Sequence, residues 1–144
     1  MKNLIALTIA VACVSFSAVS QAAEHCPELK EIDEIGSGVY RADGQKGEWT
    51  GVLQGIVADK VPIDSFQMAL AIQENESSPI RLQYCTYNVG ADKTLDMRFI
   101  SKNEQAFFIQ PDGNTWKKEN GPFGLIYNIC EKTSPENCKF TVHL

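Results

Sequence analysis

The chain has 144 residues, of which 44% are hydrophobic, 9% aromatic and 22% charged. That is one globular domain, too apolar for a disordered chain and too short for two sizeable cores. Thirteen Lys and Arg against 18 Asp and Glu give a net charge of −5, which repels phosphate backbones, so nucleic acid is not an expected partner.

The N-terminus reads as a targeting segment. Met1-Lys2-Asn3 is a short positive region, residues 4–16 are apolar or small, and Ser20-Gln21-Ala22 presents small residues where a signal peptidase reads. The expectation is a secretory leader over residues 1–22 and one domain over residues 23–144, placed in the periplasm or secreted. The apolar run is too short for a comfortable membrane span, and no later stretch approaches spanning length, so no integral span is expected after cleavage. A lipoprotein signal is the weaker alternative. Ala10-Val11-Ala12 precedes Cys13 without the usual leucine, and apolar residues continue beyond that cysteine, which disfavours an anchor there. Lys2 leaves with the leader and no acid does, so the net charge becomes −6.

Along the remaining chain, residues 27–35 are the one stretch that admits a short helix, with Pro27 in a first turn and Ile32 and Ile35 three apart. Residues 38–42 and 49–57 read as strands around Asp43-Gly44. Phe66, Met68, Leu70 and Ile72 then alternate with Gln67 and alanines, and Ile80, Leu82 and Tyr84 alternate with Arg81 and Gln83. The polar residues 74–79 between those runs predict a hairpin loop. Leu95, Met97 and Phe99 mark a further strand. Residues 106–110, the turn Pro111-Asp112-Gly113-Asn114 and residues 115–117 predict strand, turn and return strand. Residues 123–130 and 139–142 complete a C-terminal pair. Seven to nine short strands at about ten-residue spacing predict an all-β domain, an antiparallel sandwich or small barrel.

Cys13 would leave with the leader, so Cys26, Cys85, Cys130 and Cys138 remain, an even number suited to an oxidising compartment. There is no Cys-x-x-Cys, and His25 and His143 lie near the chain ends without ligand spacing, so structural disulfides are expected rather than a metal site. Four cysteines allow three pairings. Cys130 and Cys138 flank a loop containing Ser134-Pro135 that brings its ends together, which favours Cys130–Cys138 with Cys26–Cys85. On the chain-entropy argument the longer loop contributes about 4 kcal/mol and the shorter about 2.5.

Catalytic patterns are sparse. No serine stands in Gly-x-Ser-x-Gly. Gly36-Ser37-Gly38 is a turn rather than a phosphate loop, and Asp92, Asp96 and Asp112 lack calcium-loop spacing. No pair among 18 acids stands out for glycoside chemistry. The expectation is a protein that is not an enzyme and takes no cofactor. The aromatics carry more information. Tyr84 and Tyr87 are three apart, so a strand turns them to opposite faces. Trp116 stands in a polar setting between Asn114 and Lys117-Lys118. Trp116, Tyr87 and Trp49 are the candidate interface residues, with core packing the alternative reading for each.

Cys26-Pro27, Trp49, Phe66-x-x-Ala69, Cys85-Thr86-Tyr87, Trp116, then Cys130 with Ser134, Cys138 and Phe140, form an ordered frame. This frame resembles a family of small exported bacterial proteins of uncharacterised function, one branch of which comprises the EirA proteins associated with type IV secretion. The resemblance implies a periplasmic accessory factor without catalysis that binds a protein partner in the cell envelope, with a homodimer as a further expectation from its exposed strand edges. A second expectation, from the small, acidic, disulfide-closed build, is an inhibitor of a secreted hydrolase such as a lysozyme or protease. Its key side chain would sit on a rigid loop at residues 74–79 or 134–137.

Overall fold

The computed structural model describes residues 10–15, 23–55 and 57–144. Most of the expected leader, residues 1–9 and 16–22, lies outside them. Residues 10–15, including the thiol-bearing Cys13, are exposed and carry no regular structure.

Eleven strands form among the described residues. They are β1 (Glu24–His25), β2 (Asp33–Gly36), β3 (Val39–Asp43), β4 (Gly47–Val52), β5 (Ile63–Gln73), β6 (Arg81–Val89), β7 (Lys93–Ser101), β8 (Phe108–Pro111), β9 (Trp116–Asn120), β10 (Ile126–Glu131) and β11 (Lys139–His143). An eight-stranded sheet has the order β2-β3-β4-β7-β6-β5-β10-β9, and a three-stranded sheet the order β1-β11-β8. All pairings are antiparallel. The all-β expectation holds. The helix expected over residues 27–35 does not: Leu29–Glu31 makes one 3-10 turn, and the chain then extends into β2. Only one apolar side chain per turn was available there, too few to bury a helical face.

Two sequence pairings are also corrected. The turn after Pro111 does not return β9 along β8, and β10 does not pair with β11. β8 lies beside β11 in the small sheet, whereas β9 pairs with β10 in the large one. The chain changes sheet at residues 112–115 and again at 132–138.

The small sheet packs across the large one through aromatic contacts. Phe140 on β11 meets Trp49 on β4 and Phe99 on β7, both at ring-centroid distances of 6.2 Å, while Trp49 and Phe99 lie 5.2 Å apart and Phe107 meets Phe99 at 5.4 Å. Each such pair adds about 0.5–1.5 kcal/mol to the burial itself. A single bridge between Ile80 and Ile109 joins the two sheets along one side.

Both disulfides form in the favoured pairing, Cys26–Cys85 and Cys130–Cys138. Each links the small sheet to the large one. Cys85 and Cys130 stand on β6 and β10, either side of Ala69 on β5, which is their common register partner. Cys26 and Cys138 lie just outside β1 and β11, where the Cys26 amide donates to the Cys138 carbonyl at 3.3 Å. All four cysteines and Ala69 are fully buried.

This staple explains the pattern of β5. Ala69, Ala71 and Gln73 face the small sheet, because paired sulfur atoms occupy the space on either side of Ala69, while Leu70 and Ile72 turn to the opposite face, where Leu70 is still buried by its neighbours. Phe66 nevertheless also packs inward, 5.3 Å from the Tyr87 ring. A bulge between Phe66 and Met68 inserts one extra residue and reverses the alternation, so residues three apart share a face.

Candidate interaction surface

The three residues singled out for an interface fall into two groups. Trp49 and Tyr87 are 1% and 0% exposed, which corrects their candidacy: both are core residues that offer nothing to a partner on this chain's surface. The Tyr87 hydroxyl donates to the Pro27 carbonyl, and burial pushes its phenol pKa up. Tyr40 is similar. Its hydroxyl donates to the Val61 carbonyl, and burial, with the Glu34 carboxylate second, raises its pKa to about 12. Trp116 is half-buried at the edge of the core. Its indole Nε1 donates to the Lys139 carbonyl at 2.8 Å, so it closes the seam between the sheets.

Tyr84 lies opposite to Tyr87, as strand alternation requires. It belongs to an apolar stripe on the outer face of the large sheet, where Leu70 pairs with Tyr84 on one side and Ile129 on the other, and Ile72 pairs with Tyr127. The Arg98 guanidinium lies over the Tyr84 ring at 5.4 Å.

Antiparallel register collects four connections at one end of the large sheet: residues 44–46, 74–79, 102–107 and 121–125. The 44–46 turn is held by the buried Glu24, whose carboxylate accepts the Lys46 amide; burial raises the Glu24 pKa. The 74–79 turn is exposed and ordered by Asn75, whose side chain accepts the Ser77 amide at 3.0 Å, and Glu76 pairs with Lys118 at 3.1 Å. The other loop proposed from sequence is a 3-10 turn, Pro135–Asn137, with Pro135 buried and the Cys130–Cys138 bond at its base. Neither loop projects a large apolar side chain.

The side chain that does project is Phe123, which the sequence reading missed. It is 99% exposed and its backbone has φ 57°. A left-handed conformation is uncommon for a non-glycine residue and an outlier for a bulky one. The turn is rigid nonetheless. The Gly121 amide donates to the Leu125 carbonyl at 2.8 Å, the Leu125 amide donates to the Pro122 carbonyl at 3.2 Å, and Gly124 adopts φ 74°. Gly121 lies flat against Tyr127, where a Cβ would meet the ring at 2.7 Å. The sequence signal was Gly-Pro-Phe-Gly: a bulky aromatic between residues whose own conformational needs fix a tight turn.

Two clefts border residues 102–104, where Asn103 and Glu104 also have positive φ. The larger, about 510 Å³, is lined by Phe99, Phe107 and Leu82 with Arg81 and Glu104 at its polar margin. Ser101 also lines it, but its hydroxyl donates to the Gln105 carbonyl, and no histidine reaches the cleft to activate it. One acid beside one base is not a pair of carboxylates set for acid–base work. Among the described residues, no three His, Cys, Asp or Glu side chains converge to hold a metal ion, and no helix is long and apolar enough to cross a membrane. The two disulfides indicate folding in an oxidising, extracytoplasmic compartment.

No curated protein and no solved structure matches this chain. A family model does match it across residues 19–141, a span that takes in both disulfides, the core and the Phe123 turn. The chain therefore belongs to the family described as "Protein of unknown function (DUF3757)".

Proposed function

We propose that this protein is a non-catalytic binding module of the periplasm or the secreted space, which engages a protein of the cell envelope through the sandwich end that carries Phe123. The frame of cysteines and aromatics that resembles secretion-associated proteins gives the proposal its specific form, an accessory factor of a type IV secretion system. Phe123 is the observation that carries it. Leaving a phenylalanine side chain in water forgoes about 2–3 kcal/mol of burial, and a left-handed backbone adds about 1 kcal/mol of strain. Neither is repaid within the fold, and insertion into a partner's pocket recovers the first, as interface anchors do. A rigid projecting loop also suits the hydrolase-inhibitor reading, with Phe123 rather than residues 74–79 as its tip.

A photoreactive phenylalanine analogue at position 123, in the exporting cell, tests this. A specific adduct with a secretion component supports the proposal. An adduct with a hydrolase whose activity the purified chain suppresses replaces it with the inhibitor reading. A folded, exported chain that yields no adduct refutes the anchor role of Phe123.

A further inference from the structure

The large sheet ends at β9, which pairs with β10 on one side and with nothing on the other among the described residues. Such an edge offers an unpaired row of backbone donors and acceptors. Its sequence, Trp116-Lys117-Lys118-Glu119-Asn120, blocks most strands from adding, since two adjacent lysines repel a generic basic or apolar edge. A second copy of the same strand is complementary to it. In an antiparallel pairing centred on Lys118, Lys117 of each copy falls opposite Glu119 of the other, giving two opposite-charge cross-strand pairs by symmetry. The central Lys118 meets its own counterpart, but each is already ion-paired with Glu76 of its own chain at 3.1 Å.

The same pairing brings the Phe123 turn toward the other copy. β9 ends at Asn120 with the Phe123 turn after it, and residues 112–115 precede its other end, so a two-fold pairing centred on Lys118 puts the Phe123 turn of one copy at the same end as residues 112–115 of the other. Gly113 has open space where a side chain would stand. It adjoins a depression of about 290 Å³ with Ile129, Asn114 and Thr115 in its walls and the charged Glu119, Glu131 and Lys132 around them. That volume admits a phenyl ring. We infer that this protein forms a two-fold dimer by pairing β9 with β9, each copy seating Phe123 beside Gly113 and Asn114 of the other. The dimer rests on the same reading of Phe123 as an anchor, and makes a second copy of the chain the protein that receives it. A two-fold pairing consumes both edges and closes, so it does not propagate into a fibre.

Five paired residues and one anchor ring per copy set the expected dimer dissociation constant on the order of 1–100 µM. Sedimentation velocity of the disulfide-intact protein from about 5 to about 500 µM reads it directly. The expected result is a monomer–dimer transition within that range. Lys117→Glu and Glu119→Lys should each weaken the dimer about tenfold or more, because each turns two attractive pairs into repulsive ones, and the double variant Lys117→Glu/Glu119→Lys should restore it. Phe123→Ser should weaken it while the melting temperature holds. A wild-type chain that stays monomeric throughout overturns the dimer and leaves the photocrosslinking test of an envelope partner standing. Dimerisation that neither charge reversal affects overturns the β9 pairing.

Discussion

Removing the two disulfides one at a time should give unequal losses, and the topology says by how much. Cys26 and Cys85 are 59 residues apart and Cys130 and Cys138 are 8 apart. The two closed loops do not overlap, so opening one leaves the other intact. The chain-entropy relation assigns about 4.3 kcal/mol to the long loop and about 2.6 to the short one. All four cysteines are fully buried, so the packing lost in Cys26→Ala/Cys85→Ala and in Cys130→Ala/Cys138→Ala is similar and largely cancels in the comparison. The long-bridge variant should therefore be less stable by about 1.7 kcal/mol, or about 5–8 °C in melting temperature for a domain of this size. Guanidinium unfolding of the two double variants, with the remaining bridge confirmed by mass, measures the gap. Equal midpoints, or a larger loss from the short bridge, would refute loop entropy as the main source of the difference.

Ala69→Leu should destabilise by about 1–3 kcal/mol, because the added methylenes point between Cys85 and Cys130; a neutral result in thermal unfolding would contradict the packing described. Phe123→Gly should raise stability by about 0.5–1 kcal/mol by relieving the left-handed backbone. A clear loss on chemical denaturation would show that the ring packs within the fold. Burial raises the Glu24 pKa above its ordinary 4.5, so the folded protein holds that proton more tightly than the unfolded chain. Its contribution is full below pH 4.5 and is lost as pH rises through the folded-state value. Glu24→Gln, which keeps a carbonyl for the Lys46 amide, should gain stability relative to wild type between pH 4 and pH 7. A stability difference that stays flat across that range would remove Glu24 as the source.

The strands of the central sheet were legible because alternation survives in them: Leu95, Met97 and Phe99 face inward on β7 as their spacing requires. The disulfide pairing was legible from loop length. On β5 the alternation marked a strand and hid its orientation, since Ala69 and Ala71 face the small sheet and Leu70 and Ile72 the opposite face, with Leu70 buried there. Side-chain size misleads where a neighbouring disulfide already fills the volume. Sheet membership was not legible after Pro111, because a tight turn looks the same whether the chain returns beside itself or passes to another layer. Trp49 and Trp116 could not be sorted by their neighbours in sequence. Trp49 is enclosed by Phe99 and Phe140, which arrive from distant segments. Phe123 escaped notice because exposure is a tertiary property, although the glycines around it were in view.

The small sheet consists of strands of two, five and four residues and has no core of its own. It is fastened to the rest of the molecule covalently by the two cystine links, and otherwise by the Phe140 contacts, the Ile80–Ile109 bridge and the Trp116 bond to the Lys139 carbonyl. A chain with its thiols reduced would hold this small sheet less firmly against the large one, and oxidation would lock it down.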